Sequence, residues 1–251
     1  MPTLLIRLAG PLQSWGTSSH FNNRGTAREP SKSGVIGMLA AAMGRSRDDS
    51  VEDLAALRFG VRIDQTGPIT KDFHTARHPT NAKLAFVTNR YYLSDSVFVA
   101  GLEGDAGLLE EADRALRSPQ YPLFLGRRSC PPAGRVSLGI RDMTLEDALR
   151  NEPWCASEWY RRRMGKEVDL EIVTDSSGNG SSSETAQDVP ESFSQERREF
   201  SSRGITRMIS GAHFENSLGR EYPDHDAIAE VARSGRCTYR EWRSIPTGAS
   251  R

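Results

Sequence analysis

Leu4-Leu5-Ile6-Arg7-Leu8-Ala9-Gly10-Pro11 and Ser31-Lys32-Ser33-Gly34-Val35-Ile36-Gly37-Met38-Leu39-Ala40-Ala41-Ala42-Met43-Gly44 decide how the rest of the chain is read. The first is a short apolar run around Arg7, halted by Gly-Pro, as a buried strand would be. Within the second, Gly34 to Gly44 has helical length, with a serine at the cap position and Gly44 at its end. Between them lie Leu12-Gln13-Ser14-Trp15-Gly16 and a polar loop with Arg24, Gly25 and Arg28 that runs on to Lys32. The order strand, basic loop, apolar helix brings Arg28 and Lys32 to a helix N-terminus, with its unpaired N–H groups and partial positive charge. That is a candidate seat for a phosphate. It is not a Walker A loop. Ser31 rather than glycine precedes Lys32, Thr26 stands where the earlier glycine belongs, and the strand at residues 4–8 is far away.

Downstream, Ser50 to Leu57 reads as a short helix capped by Ser50, and Phe59 to Asp64 alternates as a half-buried strand. Gly67-Pro68 is a turn, after which Ile69 to Thr75 is extended. Arg90 to Leu102 is the most strand-like segment, Leu108 to Leu116 is an amphipathic helix, and Val136 to Ile140 is a strand. With the two early helices taken as one crossover, residues 1–150 approach βαββαβ. That order predicts an α+β, ferredoxin-like domain of the kind used in RNA recognition. Residues 151–203 read as an extension with a late strand at 168–173 and a Ser/Gly-rich insert at 175–187, expected to be flexible. Residues 204–251 are polar, with one helix candidate at 224–233, and are expected to form a loosely ordered tail.

Composition narrows the class further. Across 251 residues, 33 basic side chains balance 33 acidic ones, so any case for a polyanionic partner rests on local clusters. Three dispersed cysteines, Cys130, Cys155 and Cys237, offer no Cys-x-x-Cys pair and no zinc-site spacing, and suit a reducing cytoplasm. No signal peptide and no membrane-length apolar run is visible, so a cytoplasmic location is expected.

The first two stretches, with Asp72-Phe73-His74-Thr75, Leu125-Gly126-Arg127-Arg128-Ser129-Cys130-Pro131 and Arg198-Glu199-Phe200-Ser201-Ser202-Arg203, resemble the CasD family of type I-E CRISPR Cascade subunits. The resemblance spans residues 4 to about 203, and the first piece and the Gly-Arg-Arg-Ser-Cys-Pro piece are its specific parts. It implies a RAMP-type, non-catalytic subunit that holds the 5′ handle of the CRISPR RNA and contacts the backbone and large subunits of the complex. Target DNA is then met only through the complex. It also implies a thumb-like β-hairpin at about residues 74–95. No Asp/Glu/His set has convincing metal spacing, and neither metal nor cofactor is expected.

Three basic groups carry the RNA-binding expectation: Arg24, Arg28 and Lys32; Arg127, Arg128, Arg135 and Arg141; and Arg197, Arg198, Arg203 and Arg207. Arginine suits phosphate through its planar fork of donors. Trp15, Phe21, Phe73, Tyr91 and Tyr92 are candidates for stacking on bases, with Phe73 better read as core. The RNA-contacting set is taken as Trp15, Arg24, Arg28, Lys32, Ser33, His74, Arg127, Arg128 and Ser129. Cys130 reads as a buried, inert thiol. The competing enzyme reading is a metal-independent endoribonuclease that cleaves CRISPR repeat RNA. Its candidate histidines are His20, His74 and His78, with His74 and Tyr91, Tyr92 or Lys83 serving as acid and base.

Overall fold

A computed structural model describes residues 1–16, 23–77, 85–176, 184–210 and 214–219. In chain order the first half comprises β1 (Thr3–Ala9), β2 (Leu12–Gln13), β3 (Asn23–Arg24), α1 (Lys32–Ala42), α2 (Glu52–Ala55), β4 (Arg58–Gln65), β5 (Ile69–Arg77), β6 (Ala85–Ser94) and β7 (Val97–Glu103). The second half comprises α3 (Ala106–Arg117), β8 (Ser137–Arg141), α4 (Leu145–Asn151), α5 (Glu158–Arg161), β9 (Glu167–Val168), β10 (Glu171–Asp175), β11 (Glu184–Ser192), β12 (Glu199–Ile209) and β13 (Phe214–Glu215).

Seven strands form one sheet in the order β11-β12-β10-β4-β7-β1-β8, every neighbour antiparallel. β1 and β7 sit inside it, which is why their sequences read as continuous apolar runs; all seven residues of β7 are buried. Alternation along β1 sends Leu4, Ile6 and Leu8 into the main core under α1 and α3, and Leu5 to the opposite face under α4. The expected helix at 34–44 begins two residues earlier, at Lys32. Ser31 is its cap: the Ser31 hydroxyl accepts from Gly34 N at 3.2 Å. Ser33 therefore lies inside the first turn. At the other end Gly44, at φ +81°, permits a Schellman closure, with Gly44 N donating to Ala41 O and Arg45 N to Ala40 O.

The division expected at residue 150 does not separate two sheets, because β10 pairs with β4 and carries β12 and β11 on its other side. Likewise the tail boundary at 203 falls inside β12, so residues 204–209 are sheet rather than loose tail. Asp175 and Glu184 to Gln187, assigned to the flexible insert, belong to β10 and β11. Their polarity reflects exposed strand positions and ion pairing, not a lack of structure. Residues 177–183 of that insert, and the helix candidate at 224–233, lie outside the described residues.

A buried arginine fastens the segment after α4 to the sheet. Arg62 of β4 is fully buried and grips Asp64 through Nε–Oδ1 (2.7 Å) and Nη2–Oδ2 (2.9 Å). It also donates to the carbonyls of Leu149 and Pro153. Asp64 in turn accepts from Cys155 N at 2.6 Å, so a charge pair that would be costly alone is fully hydrogen-bonded.

Beside the main sheet, β5 and β6 form a long antiparallel hairpin registered from Ile69↔Leu93 to Arg77↔Ala85. β2 and β3 pair with β6 near its root. The hairpin thus begins at Ile69, earlier than the expected 74–95; its connection at 78–84 is outside the described residues.

Candidate nucleic-acid interface

Trp15 is not a stacking platform for bases. It is fully buried, with its Nε1–H donated to Gln13 Oε1 at 3.1 Å. Gln13 passes the connection on to the carbonyls of Leu8 and Ser96. Trp15 N donates to Thr26 Oγ1 and Trp15 O accepts from Ala27 N, so the basic loop is pinned where it leaves and where it returns. The indole leaves no room on Gly34, where a Cβ would lie 2.7 Å from the ring. An indole in an otherwise polar loop offers its apolar face to whatever covers it; here α1 does so before any ligand can.

The expected phosphate seat at the start of α1 is already filled by the protein. Lys32 N donates to Asp188 Oδ2 at 2.7 Å, and Lys32 Nζ lies 3.3 Å from Asp175 Oδ2. Arg203 bridges the same acids, with Nε–Asp188 Oδ1 at 2.7 Å and Nη1–Asp175 Oδ1 at 2.6 Å, and its guanidinium stacks over Phe59. Two cations meet two carboxylates in a closed, largely buried network. Burial pulls the Lys32 amine below its ordinary range, against the pull of Asp175. Lys32 is therefore removed from the RNA-contacting set. Ser33 is half-buried, with its hydroxyl 3.4 Å from that of Ser31.

The third basic group is similarly used. Arg207 binds Glu29, Glu171 and Glu184, Arg197 pairs with Glu199, and Arg198 lies over Phe200. In the second group, Arg141 pairs with Glu152, leaving Arg135 exposed.

The Gly-Arg-Arg-Ser-Cys segment is a turn, closed by Leu125 N to Cys130 O (2.7 Å) and Cys130 N to Arg127 O (2.9 Å). Gly126 is obligatory there: its φ is +79°, and a Cβ would sit 1.9 Å from Ser14 O. The two arginines divide their roles. Arg127 is half-buried; its Nη1 donates to Tyr91 O and its Nη2 to Arg24 O and Gly25 O, while its guanidinium lies 4.8 Å from the Tyr92 ring centroid. It is a brace that draws the turn, the first loop and β6 together. Arg128 and Ser129 are exposed, as are Arg24 and Arg28. Cys130 is 1 % exposed, and burial raises its thiol.

Register adds a residue that sequence reasoning left out of the set. Arg90 of β6 pairs with Arg24 on one side and with Asp72 on the other. Its Nε is buried without a hydrogen-bond partner. Strand alternation alone would have put Arg90 on the face of Tyr92; only the β3 pairing reveals its closeness to Arg24.

On the hairpin, Ile69, Lys71, Phe73 and Thr75 share a face with Leu93, Tyr91, Asn89 and Val87. Phe73 is 69 % exposed, so its reading as core is corrected: among the described residues no second layer covers its face of the β5–β6 hairpin. Ile69 and Val87 beside it are more than half exposed. His74 points to the other face, where its Nε2 meets Asp72 Oδ2 at 2.5 Å. Tyr91 is on the opposite face from His74, and Tyr92 shares the His74 face two pairs nearer the root, buried beneath Arg127. Neither tyrosine meets His74 to form an acid–base pair. Lys83, His20, His78 and Phe21 lie outside the described residues.

The chain is similar to known CRISPR-associated proteins. A family model described as CRISPR-associated protein (Cas_Cas5) matches residues 3–205. The chain is 35 % identical over 158 residues to the CRISPR system Cascade subunit CasD of Escherichia coli (strain K12), covering 54 % of this chain and 70 % of that protein. A solved Cas protein is similar at a TM-score of 0.65 and 38 % identity, over 88 % of this chain and 99 % of the other. A chain of a solved CRISPR RNA-guided surveillance complex is similar at a TM-score of 0.71 and 30 % identity, over 91 % and 97 %. With four-fifths of its length under the family model and its motifs in the turn, loop and helix that frame the hairpin root, the chain belongs to the Cas5 family of CRISPR-associated proteins.

Proposed function

We propose that this chain is a non-catalytic Cascade subunit that holds the 5′ handle of the CRISPR RNA at the root of the β5–β6 hairpin, and that meets backbone and large subunits as its protein partners. The observation that carries the reading is the convergence of Arg24, Arg90 and Arg128 around the Arg127 brace. Arg24 and Arg128 offer exposed planar donors to phosphate, while Arg127 keeps the three segments in register. The exposed Phe73 and Val87 give the hairpin an apolar face against which bases can lie, so we read it as a thumb. The finer fold assignment is ferredoxin-like. Its support is the order β8-β1-β7-β4 within the sheet, with α1 and α3 as the two crossovers on one face. Among the described residues no helix is long and apolar enough to cross a membrane.

Crosslinking of CRISPR RNA to the assembled complex, with crosslinked residues mapped, tests the reading. Crosslinks at Arg24, Arg128 or the hairpin support it. A complex that assembles and protects the guide's 5′ end without this chain overturns it.

A further inference from the structure

A second aromatic and basic surface lies beyond the end of β4. Residues 158–166 read Glu-Trp-Tyr-Arg-Arg-Arg-Met-Gly-Lys, and the reading of the guide site uses none of them. Their placement follows from a small separate core of Trp154, Ala156, Val168 and Leu170, with Tyr160, Met164 and Phe214 packed on it. This core is on the α4 side of the sheet: Arg62, whose Nη1 donates to Leu149 O of α4, also lies over the Phe214 ring at 4.9 Å. Trp15, Leu125 and Cys130, which support the guide site, belong instead to the core under α1 and α3.

Two arginines of the run lie on tryptophan faces. Arg161 is 5.5 Å from the Trp154 centroid and Arg163 is 5.2 Å from that of Trp159. Trp159 is 44 % exposed and is held edge-on by Tyr160 at 5.7 Å. Tyr160 is itself tied to the end of β4 by its hydroxyl, 3.3 Å from Thr66 Oγ1. Arg162, just after α5, is strongly exposed and among the described residues pairs with Glu158, an exposed pair of little strength. The Nε of Arg161 is buried without a hydrogen-bond partner. Glu167 and Glu215 face each other on the short β9–β13 ladder that follows. An indole kept at the surface with a guanidinium laid on it is a preformed plate for a base, and adjacent arginines supply forked donors for the phosphates on either side. An acidic protein surface would need the charge but not the exposed indole.

We infer that Trp159, Arg162 and Arg163 form a second nucleic-acid contact, which stacks a base of a single strand on Trp159 and holds its phosphates with the two arginines. This contact uses none of the residues assigned to the guide site, so it does not depend on the guide-binding reading. The probe is a fluorescein-labelled oligothymidylate of about 20 nucleotides, long enough for a site of this size. Its binding to the full chain is followed by anisotropy over a salt series. Trp159→Ala is expected to weaken binding about tenfold, the loss typical of one stacked base, while Trp159→Phe retains most of the affinity. Arg162→Glu should weaken binding and flatten the salt dependence by about 0.7 or more in log–log slope. Arg128→Ala, assayed on repeat-derived RNA, tests the guide site separately, so either assignment can fail while the other stands. Wild-type affinity in Trp159→Ala and Arg162→Glu overturns the inference, as does a wild-type chain that does not bind the probe. A labelled polyglutamate peptide bound as tightly, and lost with the same substitutions, overturns it in favour of an acidic protein partner.

Discussion

Adjacent arginines in one turn carry opposite duties, and single substitutions separate them. Arg127 donates to three backbone carbonyls and lies on Tyr92. Arg127→Ala should therefore lower stability by about 2 kcal/mol, since bonds from a charged donor are worth about 1.5–3 kcal/mol. Arg128 is exposed. Arg128→Ala should leave stability within about 0.5 kcal/mol, as surface changes usually do. It should also weaken handle RNA binding and reduce the salt slope by about 0.7, one phosphate contact on a single strand. Urea titrations and RNA anisotropy on the two variants check both expectations. A pair of variants with equal melting temperatures would show that Arg127 is not a brace. The thiols make a second test at this scale. Burial pushes Cys155 up to about 11 and raises Cys130 as well, so neither carries appreciable thiolate at neutral pH. Iodoacetamide at pH 7.5 should leave both unmodified in the folded chain, and rapid alkylation of Cys130 would contradict its enclosure.

Among the elements, α1 is joined to strands far along the chain by charge as well as by packing. Asp188 of β11 accepts from Lys32 N and from Arg203, and is 3 % exposed. Asp188→Ala would leave buried cations with one carboxylate instead of two, so a loss of about 3–5 kcal/mol is expected in chemical denaturation. A loss below 1 kcal/mol would mean that the network contributes little. Lys32 also predicts a pH effect. Its folded pKa is lowered from 10.5, with burial the largest cause. Between the lowered value and 10.5 the unfolded chain keeps a proton that the native chain has released. The unfolded state binds more protons there, so this side chain makes stability rise with pH across that window. Replacing Lys32 with Met should remove that rise, measured as the difference between wild type and variant in urea midpoints from pH 8 to 10.5. A variant whose midpoint follows wild type throughout would place the Lys32 proton on both states alike.

At the scale of the whole molecule, the hairpin stands beside the sheet with an exposed apolar face, and its register keeps Tyr91 and Tyr92 apart from His74. His74→Ala should therefore leave repeat RNA as intact as wild type does on incubation in EDTA. Cleavage by wild type that the substitution abolishes, with folding unchanged, would restore the enzyme reading. Much of this architecture was legible in the residues. The apolar runs at 3–9 and 97–103, the Ser-capped and Gly-closed α1, and the amphipathic α3 are local signals, because period, cap and terminator lie within a few residues of one another. The Gly126-Arg127-Arg128 motif stood out in the sequence, but whether it is strand or turn was open until Leu125 and Cys130 were seen to close it. What escaped depended on partners distant in sequence. Whether Lys32 faces a phosphate or a carboxylate was settled by Asp175 and Asp188, 143 and 156 residues away. Trp15 became core because Gly34 let α1 close over it, and Arg90 joined the basic cluster only through its register with β3. The sequence by itself determined which segments are strands and helices and where arginine is concentrated, since propensity and periodicity act over one element. The tertiary structure alone decided which basic side chains are neutralised and which stay open to a ligand, because charge pairing depends on distance in space: β10 and β11 bring their acids to Lys32, Arg203 and Arg207, while Arg24 and Arg128 stay exposed.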